Sequence, residues 1–388
     1  MRTLAFVNGR VLLPKGIRDD IVVVVDGTRI TELTTTAPAH AERVDLEGGV
    51  LLPGFIDTQV NGGGGLLLNE APTVETVATM AEAHRAYGTT GMLPTIISDD
   101  FDVIAAAIQA TDEAIEVGIP GILGRHIEGP FLNVQRRGIH SAQRIRRIDP
   151  QAIALLGSAR HGRTLVTLAP ECVEPGDIAA LVAAGVLVAA GHSDADYDTV
   201  QDAIAEGMTG VTHLFNAMSQ LTNRAPGLVG AALDSPQLFA GIIVDGYHVH
   251  PAAIRLALAV KGAARMMLVT DAMSLTGVDA DRFMLQHTEI RRVDGRLTDK
   301  TGTLAGSALD MVSAVRMSMS QLSVSLHQAV TMAATTPSTF LGLGGIIGTI
   351  APGFRADLVL VDEAVTAVRG VWINGREYLC PQPCPTPT

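Results

Sequence analysis

The sequence predicts an α/β protein: a (β/α)8, TIM-like barrel with a small β-sandwich domain formed by the N- and C-terminal segments. Three observations lead there. Both ends of the chain read as short strands joined by turns. Between them, short apolar runs alternate with amphipathic segments that close on glycine. The roughly 290 residues of that middle region suit one such barrel, which typically takes about 250.

Taken in order, "TLAFVNGRVL" carries an Asn-Gly hairpin signal, and "DIVVVVDGTRITEL" sets Asp-Gly between two β-rich runs. Near the other end, "GTIAPGFRADLVLVD" and "VRGVWINGREY" repeat the pattern. Neither set can bury a face alone, so residues 1–52 and 346–380 are expected to pair as one β-domain. Residues 381–388, "PQPCPTPT", read as a flexible Pro-rich tail. Residues 53–345 are assigned to the barrel. There "TVETVATMAEAHRAYG" offers Thr73 as N-cap, apolar positions at Val77, Met80 and Ala81, and Gly88 beyond the helix end. "SDADYDTVQDAIAEG" closes a second helix on glycine. The apolar runs "GILGRHIEG", "TLVTLAPE", "GVLVAAGHSD", "GVTHLFNAM", "GIIVDGYHV" and "MMLVTDAM" alternate with such helices. That order implies parallel strands joined by right-handed crossovers.

Composition narrows the function. With 388 residues, 47% of them hydrophobic, the chain can bury a large core. The run "IAALVAAGVLVAAG" from Ile178 is too short to cross a bilayer and is split by Gly185, so it reads as a helix end followed by a buried strand. A net charge of −12 argues against nucleic acid as a partner, because no excess of cations is present to neutralise phosphates. Cys172, Cys380 and Cys384 are too few and scattered for a disulfide framework, and no signal-peptide layout opens the chain. A reduced, cytoplasmic setting without membrane attachment is expected.

Polar residues terminate the apolar runs: Glu128, His192, His213, His248 and Asp271. That end of a barrel strand is where active sites are built. Glu128, His192 and His213 suit a zinc-type site, with two imidazoles, one carboxylate and an open position for water. An ion there brings the pKa of water near neutrality, roughly 7 against about 16 in bulk. Asp271, closing "LVTDAM", is the candidate general base and then general acid; the alternative is a helix N-cap. His126 shares a strand face with Glu128 and is read as packing or support, and His84 as structural. His40, His161, His287 and His327 receive no role. The arginines at 136, 137, 144, 146 and 147 read as a solvated loop.

In order along the chain stand "LLPGFIDTQVNG", "GTTGMLPT", "HIEGPFLN" with "RRGIH", "GHSDA", "THLFNAM", "RAPGLVG", "DGYHV", "LVTDAM" and "LAGSAL". Together they resemble the N-acetylglucosamine-6-phosphate deacetylases of the amidohydrolase superfamily, over about residues 50–375. The resemblance implies that Glu128, His192 and His213 hold one divalent metal per subunit. Zinc is the first expectation, and iron, cobalt or manganese accept the same donors. It implies a small amino-sugar phosphate substrate, met by His140, Asn216, Ala217, Arg224 and His248, with Leu304, Ala305 and Gly306 contributing backbone and apolar contacts. It also implies a homodimer, with Arg224 reaching the phosphate bound by the neighbouring subunit.

Where many amidohydrolases carry His-x-His on the first strand, this chain has Gln59 and Asn61, so a second ion is not expected. Gln59 is a candidate contact of the metal's water, and Asn61 a turn residue. The implied reaction is attack of a metal-bound water on the acetamide, with Asp271 moving the proton and His140 donating to the oxyanion. It yields glucosamine 6-phosphate and acetate. The alternatives are the galactosamine epimer, another amidohydrolase such as a cyclic-amide hydrolase, and an inactive barrel serving as scaffold.

Overall fold

The computed structural model describes residues 2–378. The Pro-rich segment 381–388, with Cys380 and Cys384, lies outside the described residues. Eight strands form one sheet in chain order: Phe55–Val60, Thr89–Ile97, Gly124–Glu128, Arg163–Leu168, Leu187–Ala190, Gly210–Val211, Phe239–Ile242 and Met266–Leu268. Each adjacent pair is parallel. The eighth strand's extension meets the first. Asp271 N donates to Gln59 O at 3.0 Å and Asn61 N to Ala272 O at 2.8 Å, which closes the ring. This is the expected barrel.

Burial explains why these strands read as continuous apolar runs. Every residue of Phe55–Val60 and Thr89–Ile97 is buried, since helices cover the outside and side chains fill the inside. Ile56, Leu123, Leu165, Phe239 and Met267, near the strand starts, pack with Phe340 and close the end away from the mouth. The helix Val74–Arg85 begins where the Thr73 side chain accepts from Thr76 N, and it buries Val77, Met80, Ala81 and His84. Full burial of a residue such as Met80 is worth about 1.5–3 kcal/mol. The helix ends before Gly88, whose φ of +87° and contact with the Phe55 ring leave no room for a side chain.

The terminal strands build two further sheets. Strand Val50–Pro53 pairs antiparallel with Leu358–Val361, so the two ends of the chain share one sheet. Asp26 and Arg29 flank a two-residue turn joining Val22–Asp26 to Arg29–Thr34, and Asn374-Gly375 joins Val368–Ile373 to Arg376–Tyr378. The Asn8-Gly9 turn differs from expectation. Strand Thr3–Val7 belongs to the four-stranded sheet and Arg10–Leu13 to the six-stranded one, so this turn carries the chain between sheets rather than closing a hairpin. A Cβ on Gly9 would lie 2.5 Å from the Leu46 side chain, which fills the corner. Trp372 and Phe6 meet edge-on at 4.9 Å in the core between the sheets.

One excursion has no counterpart in the expected outline. After the eighth strand, Arg282–Leu285, Thr288–Val293 and Arg296–Thr298 form an antiparallel sheet packed over Met273 and Leu275 near the mouth. Among the described residues, no helix is long and apolar enough to cross a membrane.

Candidate metal and catalytic site

Glu128 is the last residue of the third strand, and His192 and His213 follow the ends of the fifth and sixth. His192, His213 and Asp271 have φ of 50°, 29° and 51°, left-handed values that L side chains rarely take. The backbone kinks where each strand ends, and the kink turns the side chain over the barrel axis. A cavity of about 460 Å3 opens there, lined by Glu128, His140, His192, His213 and Asp271 among others.

Three donor atoms converge. Glu128 Oε1 lies 3.2 Å from His192 Nε2 and 3.0 Å from His213 Nε2, and the two nitrogens are 3.1 Å apart. Tetrahedral coordination at about 2.0–2.1 Å would place ligand atoms about 3.3 Å from one another, so the set fits one divalent ion. His192 Nδ1 donates to Arg136 O at 2.9 Å, which leaves the Nε2 lone pair facing the other donors. His213 Nδ1 is buried with no partner among the described residues.

His140 also brings a ring nitrogen within 4.8 Å of Glu128 and His192. Its tautomer excludes it from the ligand set. Ser98 N donates to His140 Nδ1 at 3.3 Å, and Ser98 Oγ lies at 2.8 Å from the same atom. Nδ1 therefore holds the lone pair and Nε2 the proton. Burial, reinforced by His192, pushes the His140 pKa down to about 3, so the ring is a neutral N–H donor.

The carboxylates are set apart by their surroundings. Burial raises Glu128, but the neighbouring His192 and His213 outweigh it and hold the group well below the usual range. Burial and the charge of Glu128 raise Asp271 to about 6, against an opposing pull from His213 and His248. Both side-chain amides of the first strand bond this acid. Asn61 Nδ2 donates to Asp271 Oδ1 at 2.7 Å, and Gln59 Nε2 bridges Asp271 Oδ1 at 3.2 Å and Glu128 Oε1 at 3.1 Å. Beneath them, Asp57 accepts from Thr270 Oγ1 at 2.5 Å and Gln59 N at 3.2 Å, tying the first strand to the eighth.

Asn216, Ala217, His248, Leu304 and Gly306 line the same cavity. Gly306, with φ of +58°, passes so close to Asp271 that a Cβ would sit 2.6 Å from the carbonyl oxygen. Two expected residues do not line it. Ala305 is fully buried beside Met273 and Leu275, because its position alternates away from the cavity. Arg224 is exposed on the loop before helix Gly227–Asp234, which runs outward from the sixth strand.

The arginine loop is less free than a solvated run. Arg136 pairs with Asp194, Arg144 and Arg146 with Asp100, and Arg147 with Glu174, while Arg137 bonds the His140 carbonyl. His126 bonds Thr95 and Thr167 inside the barrel, and His84 bonds Gly62 O, both packing roles. Sequence reading passed over Ser98, Asp57 and the bond from Asn61 to Asp271. For Asn61 the signal was present: it lies two residues beyond Gln59 on one strand face, aimed at the same mouth.

A closed eight-stranded barrel with a carboxylate and two imidazoles converging at the C-terminal ends of its strands, beside a buried aspartate, defines a metal-dependent hydrolase barrel. The chain belongs to the amidohydrolase family, whose model matches residues 50–378. An N-acetylgalactosamine-6-phosphate deacetylase of Shewanella sp. (strain ANA-3) is 46% identical, over 93% of this chain and 90% of that protein. The crystal structure of an N-acetylglucosamine-6-phosphate deacetylase from Pasteurella multocida superposes with a TM-score of 0.94 at 35% identity, covering 97% of this chain and 99% of that one. A mutant N-acetyl-D-glucosamine-6-phosphate deacetylase from Mycobacterium smegmatis, solved in complex with N-acetyl-D-glucosamine-6-phosphate, gives 0.87 at 32% identity, covering 97% and 98%.

Proposed function

We propose that the chain deacetylates N-acetyl-D-glucosamine 6-phosphate, giving D-glucosamine 6-phosphate and acetate. The observation that carries this reading is the convergence of Glu128, His192 and His213 donors beside Asp271 in one cavity. The substrate class comes from the relatives' names. Glu128, His192 and His213 would hold one divalent ion, zinc first among those the donors accept. When bound, such an ion supplies Lewis-acid chemistry, polarising an acyl oxygen and acidifying water.

The chain's own groups do the rest. Gln59 and Asn61 both donate to Asp271 Oδ1, so Oδ2 is the oxygen left to take a proton from the attacking water. Asp271 then delivers that proton to the nitrogen as the C–N bond breaks, since an unprotonated amine anion is a prohibitive leaving group. His140 Nε2–H faces the cavity as a neutral donor suited to the developing oxyanion. Asn216, Ala217, His248, Leu304 and Gly306 surround the sugar. Exposed Arg224 serves the phosphate held by a neighbouring subunit, its planar fork matching two oxygens. The same reading makes the enzyme a cytoplasmic homodimer.

A second reading is the galacto epimer as substrate, favoured by the 46% identity with the Shewanella protein against 35% and 32% for the two gluco enzymes. Acetate release from both 6-phosphates by metal-loaded and chelator-treated enzyme tests these together. We expect metal-dependent release, with the higher kcat/KM on the gluco epimer. A higher kcat/KM on the galacto epimer establishes the second reading, and no release from either ends both.

A further inference from the structure

The loop after the seventh strand carries a buried acid–base pair of which the mechanism above uses only His248. Asp245 and His248 lie between two buried anchors, Val244 and Val249, and their side chains are 11% and 6% exposed. Asp245 Oδ1 accepts from Tyr247 N at 2.8 Å and His248 N at 2.9 Å. Asp245 Oδ2 is then the oxygen left for the ring, and His248 Nδ1 lies 2.6 Å from it. Gly246, with φ of +79°, lets the loop fold back tightly enough for one carboxylate to make all three bonds. Outside the loop, Tyr247 packs against the Gly295–Arg296 turn of the three-stranded excursion, with the Arg296 guanidinium 5.5 Å from its ring centroid. The pair is thus braced on both sides.

The chemistry of this arrangement is specific. A carboxylate that already accepts two backbone N–H bonds stays ionised, and its remaining oxygen demands a proton from Nδ1. The ring cannot flip without leaving that oxygen unpaired. Nε2 is therefore the nitrogen available at the cavity wall, with its lone pair free to accept. We propose that Asp245 is a positioning residue that fixes the His248 tautomer and orientation, so that the Nε2 lone pair accepts a hydrogen bond from a hydroxyl of the bound sugar phosphate. This deepens the functional reading above and rests on it. Because the contact is made to a sugar hydroxyl rather than to the acetamide, it governs capture more than chemistry.

The test is a double-mutant cycle with Asp245→Asn and His248→Ala, read as KM and kcat on the sugar phosphate, alongside 15N NMR of the histidine rings. Asp245→Asn should raise KM about 10-fold, the upper end of what one neutral hydrogen bond contributes, with kcat changed less than about two-fold. In the His248→Ala background the same change should have almost no effect on KM. Asp245→Glu, which keeps the charge, should recover part of the loss. The NMR spectrum should show the His248 ring, assigned by its absence in His248→Ala, protonated at Nδ1 in the wild type and redistributed in Asp245→Asn. An equal KM penalty in both backgrounds would reduce Asp245 to a loop-folding role and overturn the proposal, as would an unchanged ring in Asp245→Asn. Should the wild type not turn over the sugar phosphate, the functional reading fails, while the ring spectrum still reports on the pair.

Discussion

The barrel mouth and the β-sandwich both contain non-glycine residues in left-handed backbone, but for opposite reasons. In the sandwich these include Asn8 and Asn374, each followed by glycine, where the residue type suits the turn. At the mouth they include His192, His213 and Asp271, among them two imidazoles with no preference for that conformation. Such backbone costs on the order of 1–3 kcal/mol per residue and persists only where the surroundings over-determine it. At the two asparagine turns the sequence accommodates the chain path; at the mouth the path is bent to aim the side chain.

The largest break in this contrast should come from Asp271→Asn. The amide keeps the size of the side chain and removes a buried charge next to Glu128, so the fold should keep its Tm. Turnover should fall by roughly 100- to 10,000-fold, the usual worth of a positioned acid–base group, with metal content and sugar binding retained. Steady-state kinetics with metal analysis would check it. A variant within a few-fold of wild type would remove Asp271 from the proton path.

Much of the mouth was legible because each of Glu128, His192, His213 and Asp271 ends an apolar run, and strand ends in a closed barrel converge. What could not be read depends on contacts distant in sequence. Asn8-Gly9 looks the same whether it closes a hairpin or carries the chain between sheets, and only Leu46 in the corner decides. Ser98 and Asp245 gave no local sign, because their roles consist of a bond to His140 42 residues away and a fold-back of one loop. The excursion at Arg282–Thr298 did carry a signal: Asp294-Gly295 is a hairpin dipeptide between two strand-like runs. It went unread because the barrel outline had no place for an extra sheet.

The complementary experiment belongs to the sandwich. Trp372 is 2% exposed and packs edge-on against Phe6, far from the donors at the mouth. Trp372→Ala should cost about 3–5 kcal/mol of stability through lost burial and the cavity it leaves. Chemical denaturation would measure it. The fraction that stays folded should keep a kcat within about two-fold of wild type. A matching loss of kcat would mean that the sandwich core also sets the geometry of the mouth.

The subtlest effect concerns Asp57, which lies inside the barrel and ties the first strand to the segment following the eighth, below Asp271. Burial lifts its pKa to about 7, and the bonds from Thr270 and Gln59 only partly oppose that. The folded chain therefore holds a proton that the unfolded chain, titrating near 4, gives up. A raised folded pKa contributes stability that is full below about pH 4 and is lost as pH rises through about 7. Asp271, raised to about 6, acts with the same sign. Asp57→Asn mimics the protonated form, so its Tm should fall less than that of the wild type between pH 5 and pH 8, with the remaining slope due to Asp271. Calorimetry at fixed ionic strength across that range would measure both slopes. Identical slopes would mean that Asp57 does not exchange its proton on unfolding, and that the acid beneath the mouth is held by its hydrogen bonds in the ionised form, as the acids of the sandwich surface are.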